Sequence, residues 1–368
     1  MTPDRMAIRA AAEAAFAAFR AAGAVPVEAP VLLPAATLLD LYGEDIRARA
    51  YVTQDPVQGE MMLRPDFTLP VVQAHMAGGA EPARYCYLGE VFRQQDHRGE
   101  GRASEYLQAG FEIFDRADPA AADAEVFALF AGHLAGLPLR PVTGDMALLA
   151  AAVAGLTTTP VRRAALRRHL WRPRRFRALL DRFAGRVPLP PERRALLDRM
   201  GAEGSGALMD TVPPLVGLRD EGAIRARLDR LAEDAGAPPI PAHEAPALDA
   251  LLALAGPAAD LPLPPPALTG ALPALAPAVA GFAARLDALA ARGIDTAALP
   301  FEAVHGRASM EYYDGFTFSH LGPAGWPPIA SGGRYDALTG ALGGGRSIPA
   351  VGGVVRPALV ARLRGDAA

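Results

Sequence analysis

The sequence contains no lysine: all 37 of its basic residues are arginine. Its side chains therefore cannot supply a lysine amine for Schiff-base or general-base chemistry. We attribute the excess of arginine to coding bias, because alanine, glycine and proline are also abundant. The formal net charge of −3 gives no overall attraction to nucleic acid, and we expect no nucleic-acid partner.

Cysteine is nearly absent as well. The single residue, Cys86, excludes an intramolecular disulfide and any metal cluster built from cysteines. It lies in an apolar run and is predicted to be a buried packing residue. The seven histidines have neither H-E-x-x-H nor H-x-H spacing, so we expect no metal site, and nothing in the sequence calls for a cofactor.

Long hydrophobic runs are missing too. No stretch of 18 residues lacks proline, glycine and charge, and the N-terminal segment mixes acids and arginines with no signal-like apolar region. We therefore expect a soluble, cytoplasmic protein that neither spans nor binds a membrane.

The order of the predicted elements indicates an α+β protein with an antiparallel sheet. We divide it into a first core part at 1–156, a helical insertion with a proline-rich connector at 157–277, and a second core part at 278–368. Strands are predicted in the core at Tyr85–Phe92, Tyr106–Phe114, Leu139–Val142, Ala297–Val304, Tyr312–Phe318, Pro328–Ala330 and Ala350–Val355. The main helices are predicted at Pro3–Ala22, Glu125–Leu134, Met146–Leu156 and Ala278–Arg292.

The most informative segment is the hairpin formed by the first two of these strands. Arg93 follows the first strand, and Gln108 and Glu112 lie four residues apart on the second, so both face the same side of the sheet. A guanidinium, an amide and a carboxylate on one face suit a small zwitterionic ligand better than a packed core.

Two further segments carry polar groups with alternative interpretations. Asp66 and Thr68 could bind an ammonium group, or Asp66 could simply cap the helix that follows. Tyr312 and Tyr313 could bind an imidazole through hydroxyls and ring faces, or could be core aromatics of a strand. The residues alone leave both alternatives open.

The hairpin resembles motif 2 of the class II aminoacyl-tRNA synthetases in its histidyl-tRNA synthetase form. The matching residues are the Phe92-Arg93 pair and the run Gln108–Phe114, and the segments Arg64–Thr68, Glu311–Phe316 and Ser331–Asp336 resemble further motifs of that family. The resemblance covers roughly 1–150 and 295–360. It implies a class II synthetase-like antiparallel sheet flanked by helices, and a histidine pocket formed by Asp66, Thr68, Arg93, Gln108, Glu112, Tyr312 and Tyr313.

The departures from the synthetase pattern concern the nucleotide. Gln95 replaces the motif 2 glutamate, Ala308 stands where an arginine polarises the carboxylate, and Leu359 stands where motif 3 supplies an arginine; Arg356 lies three residues early. Because adenylyl transfer depends on positioned cations, we predict that the chemistry is lost and that no catalytic residue remains. We also expect no C-terminal anticodon-binding domain, because the sequence ends soon after motif 3.

A histidine pocket without ATP chemistry resembles the regulatory subunits of short-form ATP phosphoribosyltransferase, which act in the first step of histidine biosynthesis. That resemblance implies a non-enzymatic subunit that is needed for catalytic-subunit activity and for feedback inhibition by L-histidine. It also implies a hetero-octamer whose regulatory chains pair around Val25–Leu41. The alternatives are a divergent enzyme forming an aminoacyl adenylate and a tRNA-mimicry regulator of the kinase-like type, which would need an additional domain.

One basic segment remains without a role. Residues 162–177 contain eight arginines with His169 and Trp171. We favour a solvated helical face in an arginine-rich chain over a docking surface for an acidic partner or a nucleic-acid patch.

Overall fold

The computed structural model describes residues 4–36, 50–95, 99, 101–210, 220–261, 272–307 and 312–366. They belong to two compact units. The first consists of Met1–Leu148, Ala253–Leu263 and Ala276–Ala368, and the second of Leu149–Leu252 and Pro264–Leu275. The division at 157 and 277 made from the sequence stays a prediction.

All strands among the described residues belong to the first unit. They are β1 (Val25–Pro26), β2 (Leu32–Pro34), β3 (Val52–Asp55), β4 (Gly59–Leu63), β5 (Ala83–Phe92), β6 (Glu105–Phe114), β7 (Arg140–Asp145), β8 (Ala255–Pro257), β9 (Pro300–Glu302), β10 (Phe316–Leu321), β11 (Ala330–Arg334) and β12 (Ala350–Val355).

The helices lie in both units. They are α1 (Arg5–Ala21), α2 (Thr68–Met76), α3 (Pro119–His133), α4 (Met146–Gly155), α5 (Pro160–Arg168), α6 (Pro173–Phe183), α7 (Pro191–Met209), α8 (Glu221–Gly236), α9 (Glu244–Leu252), α10 (Ala276–Ala291), α11 (Asp336–Leu342) and α12 (Pro357–Asp366).

In the part of the chain that the structure describes, nine strands form the main sheet in the order β1-β5-β6-β12-β11-β10-β7-β9-β8. Every pairing in it is antiparallel except β1 with β5 and β7 with β9. A smaller sheet has the order β2-β4-β3. The large, mainly antiparallel sheet flanked by helices agrees with the predicted α+β class.

Helix α1 illustrates how the sheet is covered. Ala11, Ala15 and Phe19 recur every four residues and are buried, which gives the helix one apolar face. The Phe19 ring lies 5.8 Å from that of Phe111 on β6 and 5.1 Å from that of Phe130 on α3. This aromatic cluster fixes the helix on the face of the sheet behind β6.

A buried ion cluster joins α3, α10 and the sheet. Asp123 accepts hydrogen bonds from Arg285 (3.1 Å) and from Arg334 (2.7 Å to Nη2), and Arg285 also donates to Asp145 at 2.6 Å. All four side chains are buried. Since a buried charge is tolerated only when it is paired, the cluster fixes these elements relative to one another.

Helix α10 matters for the predicted absence of a membrane span. With the preceding turn, Pro273–Ala291 is the one helix among the described residues that is long and apolar enough to cross a bilayer by length and composition. It carries Arg285 of the ion cluster, and its buried residues Phe282, Arg285 and Leu289 follow one face. We therefore interpret it as a surface helix with one packed face.

Three predicted strands are shorter or shifted in the structure. The strand predicted at Pro328–Ala330 is observed as β11, which begins only at Ala330. Tyr312 and Tyr313 precede β10 instead of starting it: both rings are buried and lie 4.7 Å apart, whereas neighbours in a strand point to opposite faces. In the predicted strand Ala297–Val304, only Pro300–Glu302 is extended. Asp295 accepts hydrogen bonds from the N–H groups of residues 297 and 298, and this turn delays the strand.

Every regular element described in the second unit is a helix. Helix α6 shows the reason, since Phe176, Leu180 and Phe183 recur at helical spacing and are buried while its arginines are mostly exposed. Residues 262–271 of the predicted proline-rich connector lie outside the described residues.

Candidate functional site

The centre of the candidate site is Glu112 on β6. Opposite it across the sheet lie Tyr85 on β5 and Gly352 on β12. A Cβ atom on residue 352 would lie 1.5 Å from Oε2 of Glu112. Glycine at this position therefore makes room for the carboxylate to lie across the neighbouring strand.

Three hydroxyl groups donate hydrogen bonds to this carboxylate. Tyr335 donates to Oε2 at 2.6 Å, and Tyr87 and Thr68 donate to Oε1 at 2.9 and 3.2 Å. Glu112 is 1% exposed, and burial raises its pKa from 4.5 to about 7 although the three hydroxyls act in the opposite direction. The group therefore changes charge near neutral pH.

Asp66 and Thr68 reach the site from the turn between β4 and α2. Arg64 anchors this turn by donating to the carbonyl oxygens of Glu90 (2.7 Å) and Ala29, with its guanidinium 4.1 Å from the ring centre of Phe67. Both Asp66 and Thr68 are buried as a result.

The carboxylate of Asp66 faces the site more than it caps the helix. Its Oδ1 is 3.5 Å from the N–H of Leu69, a long contact, and the residue at the cap position is Phe67. Burial raises the pKa of Asp66, while the charge of Arg93 lowers it. Arg93 Nη2 lies 4.0 Å from Oδ2 of Asp66, and its Nε donates to the carbonyl of Pro65 at 2.7 Å.

The two tyrosines close the site from the segment before β10. The hydroxyls of Tyr312 and Thr68 lie 3.5 Å apart. Burial, and then the nearby charge of Glu112, raises the pKa of Tyr313. Tyr312 and Tyr313 are thus placed beside the groups on the hairpin and the α2 turn, as the site prediction requires. Ala308 and Glu311, just before them, lie outside the described residues.

Gln108 has an unusual environment. It is on the same face of β6 as Glu112 and is fully buried. Neither its amide nitrogen nor its amide oxygen has a hydrogen-bond partner among the described residues. A buried amide without partners costs free energy, and a polar ligand would recover part of that cost.

Two site residues were not predicted from the sequence. Tyr87 and Tyr335 each donate to Glu112, and the Tyr87 ring stacks on Phe67 with 4.4 Å between ring centres. A signal for Tyr87 is present in the hairpin: a Cβ on Gly110 would lie 2.2 Å from its ring. Glycine between two polar residues on one strand face leaves space for a large neighbour.

The structure also places residues at which the sequence departs from the synthetase pattern for nucleotide binding. Gln95 donates through its amide to the carbonyls of Arg93 and Ala103, each at 3.2 Å. Leu359 is buried, and Arg356 donates to the carbonyl of Pro328 at 3.0 Å. No carboxylate or cation of the synthetase pattern occupies the positions of Gln95 and Leu359.

A cavity of about 400 Å³ lies beside Arg93. Its wall includes three arginines, at positions 93, 102 and 356, together with Tyr106 and Trp326. Its three guanidinium groups suit an anionic ligand. Within the described ranges, no group of three or more His, Cys, Asp or Glu side chains is placed to hold a metal ion.

Comparisons with known proteins agree with this architecture. The histidyl-tRNA synthetase family model matches residues 2–237 and 224–359. A crystal structure described as an ATP phosphoribosyltransferase regulatory subunit/histidyl-tRNA synthetase from Bacillus halodurans has a TM-score of 0.64 and 20% identity, and covers 97% of this chain and 79% of its own. A histidyl-tRNA synthetase structure from Nostoc has a TM-score of 0.63 and 15% identity, with coverages of 100% and 74%. These likenesses establish the class II synthetase-like fold.

Two relatives are more similar in sequence. A protein of Allorhizobium ampelinum is 34% identical and one of Mesorhizobium japonicum 32% identical, each over 91% of this chain and 92% of the relative. Both are named ATP phosphoribosyltransferase regulatory subunit. The chain therefore belongs to the ATP phosphoribosyltransferase regulatory subunit family, whose fold it shares with histidyl-tRNA synthetases.

Proposed function

We propose that this chain is a histidine-responsive, non-catalytic subunit of a short-form ATP phosphoribosyltransferase, the enzyme of the first step of histidine biosynthesis. The observation that carries the regulatory assignment is the identity of 32–34% with regulatory subunits over nine-tenths of both chains. The catalytic partner needs this subunit for activity, and bound histidine inhibits the complex.

The geometry supports L-histidine as the ligand. Asp66 and Thr68 provide a carboxylate and a hydroxyl for the α-ammonium group, and Arg93 provides a guanidinium for the α-carboxylate. Glu112 accepts an imidazole N–H, and a hydroxyl from Tyr312 or Tyr313 contacts the other ring nitrogen. Gln108 has unused donors and acceptors for the same ligand.

Calorimetric titration of the protein with histidine, and then with ATP and Mg²⁺, tests this assignment. We expect saturable binding of histidine and no binding of ATP. Binding of both ligands, together with histidine-dependent exchange between ATP and pyrophosphate, would instead identify a divergent adenylate-forming enzyme. Binding of neither would move the histidine site to the complex with the catalytic subunit.

Variants separate ligand binding from assembly. Asp66→Ala or Glu112→Ala should make the complex insensitive to histidine without preventing its formation. Arg9→Ala is the control variant, because Arg9 only forms an exposed ion pair with Glu13 on α1. Unchanged inhibition by histidine in both site variants would contradict the proposed pocket.

Regulation requires a difference in histidine affinity between two states of the complex. We propose that the bound ligand, contacted from the hairpin, the α2 turn and the segment before β10, draws these elements together and favours one quaternary arrangement. Measuring histidine affinity with and without the catalytic subunit gives the coupling, since the two affinities must differ if histidine regulates the complex.

We further propose self-association through the β1–β4 region within a cytoplasmic hetero-octamer. Most of the large hydrophobic side chains that are exposed among the described residues lie here: Val25, Val31, Leu32, Tyr51, Val52 and Val57. Such a concentration of exposed apolar groups is typical of an interface. Val52→Asp should shift the mass measured by light scattering toward the monomer, whereas the exposed Met6→Asp on α1 should not. Residues 37–41 of the predicted pairing region lie outside the described residues.

A further inference from the structure

Three arginines of the helical unit converge on one aspartate. Arg162 on α5 donates through Nε to Oδ1 of Asp234 on α8 at 2.6 Å. Arg182 on α6 and Arg193 on α7 both approach Oδ2 of the same carboxylate at 3.4 Å. Four helices thus contribute one charged side chain each to a single cluster, which we call the arginine cluster.

The three guanidinium groups are not satisfied to the same extent. Arg162 is 6% exposed and also donates to the carbonyls of Pro238 (2.7 Å) and Ala237 (3.3 Å). Arg182 and Arg193 share one carboxylate oxygen at long distance, and their Nε–H groups are buried without an acceptor among the described residues. The last two arginines therefore have unused hydrogen-bonding capacity.

The charges of the arginine cluster do not cancel. Three guanidiniums face one carboxylate, which leaves a net charge of about +2 because arginine stays protonated. The pKa of Arg182 is lowered, first by burial and then by the nearby charge of Arg193, which shows that like charges crowd there.

The cluster lines a cavity of about 220 Å³. The guanidinium of Arg182 lies 4.5 Å from the ring centre of Phe183, which holds its plane in place. Apolar residues form the rest of the wall, including Val187, Leu189 and Pro239. The site is therefore a concave, positively charged surface with an apolar side, large enough for a small molecule.

We propose that this cavity binds a small phosphate-bearing anion. Planar guanidinium groups match the geometry of phosphate oxygens, and a phosphate monoester carries a charge of about −1.5 to −2 at neutral pH, which matches the net charge of the cluster. A monocarboxylate would leave about one positive charge unmatched. The proposal is independent of histidine binding, which involves the other unit.

With this assignment, the arginines of the segment 162–177 fall into two groups with different roles. Most of its arginines are exposed, at positions 167, 168, 174, 175 and 177. For these the interpretation as a solvated face agrees with the structure, and Arg177 pairs with Asp249 at 2.5 Å. For Arg162 that interpretation is wrong, because the side chain is buried and organises the arginine cluster.

The test is a titration of the full chain with inorganic phosphate at constant ionic strength, with binding measured by phosphorus NMR and by calorimetry. We expect saturable binding that acetate does not displace. Arg182→Gln and Arg193→Gln should each weaken phosphate binding at least tenfold. Arg199→Gln is the matched control, since Arg199 lies on the same helix as Arg193 and forms an exposed pair with Glu203.

Two outcomes would overturn the proposal. One is that phosphate does not saturate the unaltered protein, or that acetate competes equally with phosphate for it. This outcome does not depend on the folding of any variant. The other is equal phosphate affinity in the Arg193→Gln and Arg199→Gln proteins when both have the thermal midpoint of the unaltered chain in phosphate-free buffer. Tenfold or greater loss confined to the arginine-cluster variants would establish the site.

Discussion

Replacing Glu112 by glutamine makes the buried carboxylate permanently neutral while keeping its shape. In the folded protein, burial raises the pKa of Glu112 from 4.5 to about 7. A carboxyl group whose pKa is raised on folding stabilises the protein fully below its unfolded pKa, and this contribution is lost as the pH rises through the folded pKa. The relevant range is therefore about pH 4.5 to 7.

The magnitude follows from the size of that displacement. A tenfold change in proton affinity corresponds to about 1.4 kcal/mol, so the full effect is about 3 kcal/mol. Glutamine cannot accept all three hydroxyl hydrogen bonds of Thr68, Tyr87 and Tyr335 in the same way, which costs about 1–3 kcal/mol at every pH. The free energy of unfolding of the unaltered protein should therefore fall by about 3 kcal/mol relative to that of the variant between pH 4.5 and 8. The constant cost of the lost hydrogen bonds shifts the whole curve of the variant without changing this difference in slope.

Urea unfolding at several pH values measures this difference directly. Saturating histidine should reduce it, because an imidazole N–H bonded to the carboxylate favours the charged form of Glu112. Curves of unfolding free energy against pH that run parallel for the two proteins would refute the raised pKa of Glu112. A pH dependence that histidine leaves unchanged would refute contact between the ligand and this residue.

Two further substitutions test the packing around the site. Asp123→Ala leaves two buried guanidiniums without their shared partner and should lower the free energy of urea unfolding by about 3–5 kcal/mol. The exposed Glu13→Ala is the control and should lower it by only about 0.5 kcal/mol. An equally small loss in Asp123→Ala would contradict the ion cluster. Gly352→Ala places a Cβ against Glu112 and should abolish histidine binding in calorimetry, whereas Gly281→Ala, which has open space, should not. Retained affinity in Gly352→Ala would mean that the carboxylate can move aside.

The hairpin could be predicted because its signals are local. Strands Tyr85–Phe92 and Tyr106–Phe114 were predicted within two residues of the observed β5 and β6. Period-two patterning also places Gln108 and Glu112 on one face without knowledge of the rest of the sheet. The order of the predicted elements indicated the α+β class, and the motif resemblance implied the class II synthetase-like fold, which the structural comparisons confirm.

The partners of Glu112 could not be predicted in the same way, because they depend on strand order. Gly352 is opposite Glu112 only because β12 lies beside β6, 240 positions along the chain. Tyr335 follows β11, the strand beside β12, and its hydroxyl donates to the Glu112 carboxylate although the two residues are far apart in sequence. Neither periodicity nor residue type determines which distant strands become neighbours.

The position of the single cysteine has a practical consequence. Cys86 is fully buried on β5, with its Sγ 3.8 Å from the carbonyl oxygen of Ala24, and burial raises its pKa to about 11. A thiol reagent can react only when the β1–β5 edge of the sheet opens, because the thiol is both inaccessible and protonated in the closed state. The rate of Cys86 modification therefore reports opening of this edge in the unmodified chain, without an introduced label. Comparing that rate before and after the catalytic subunit is added would show whether assembly rigidifies this part of the sheet.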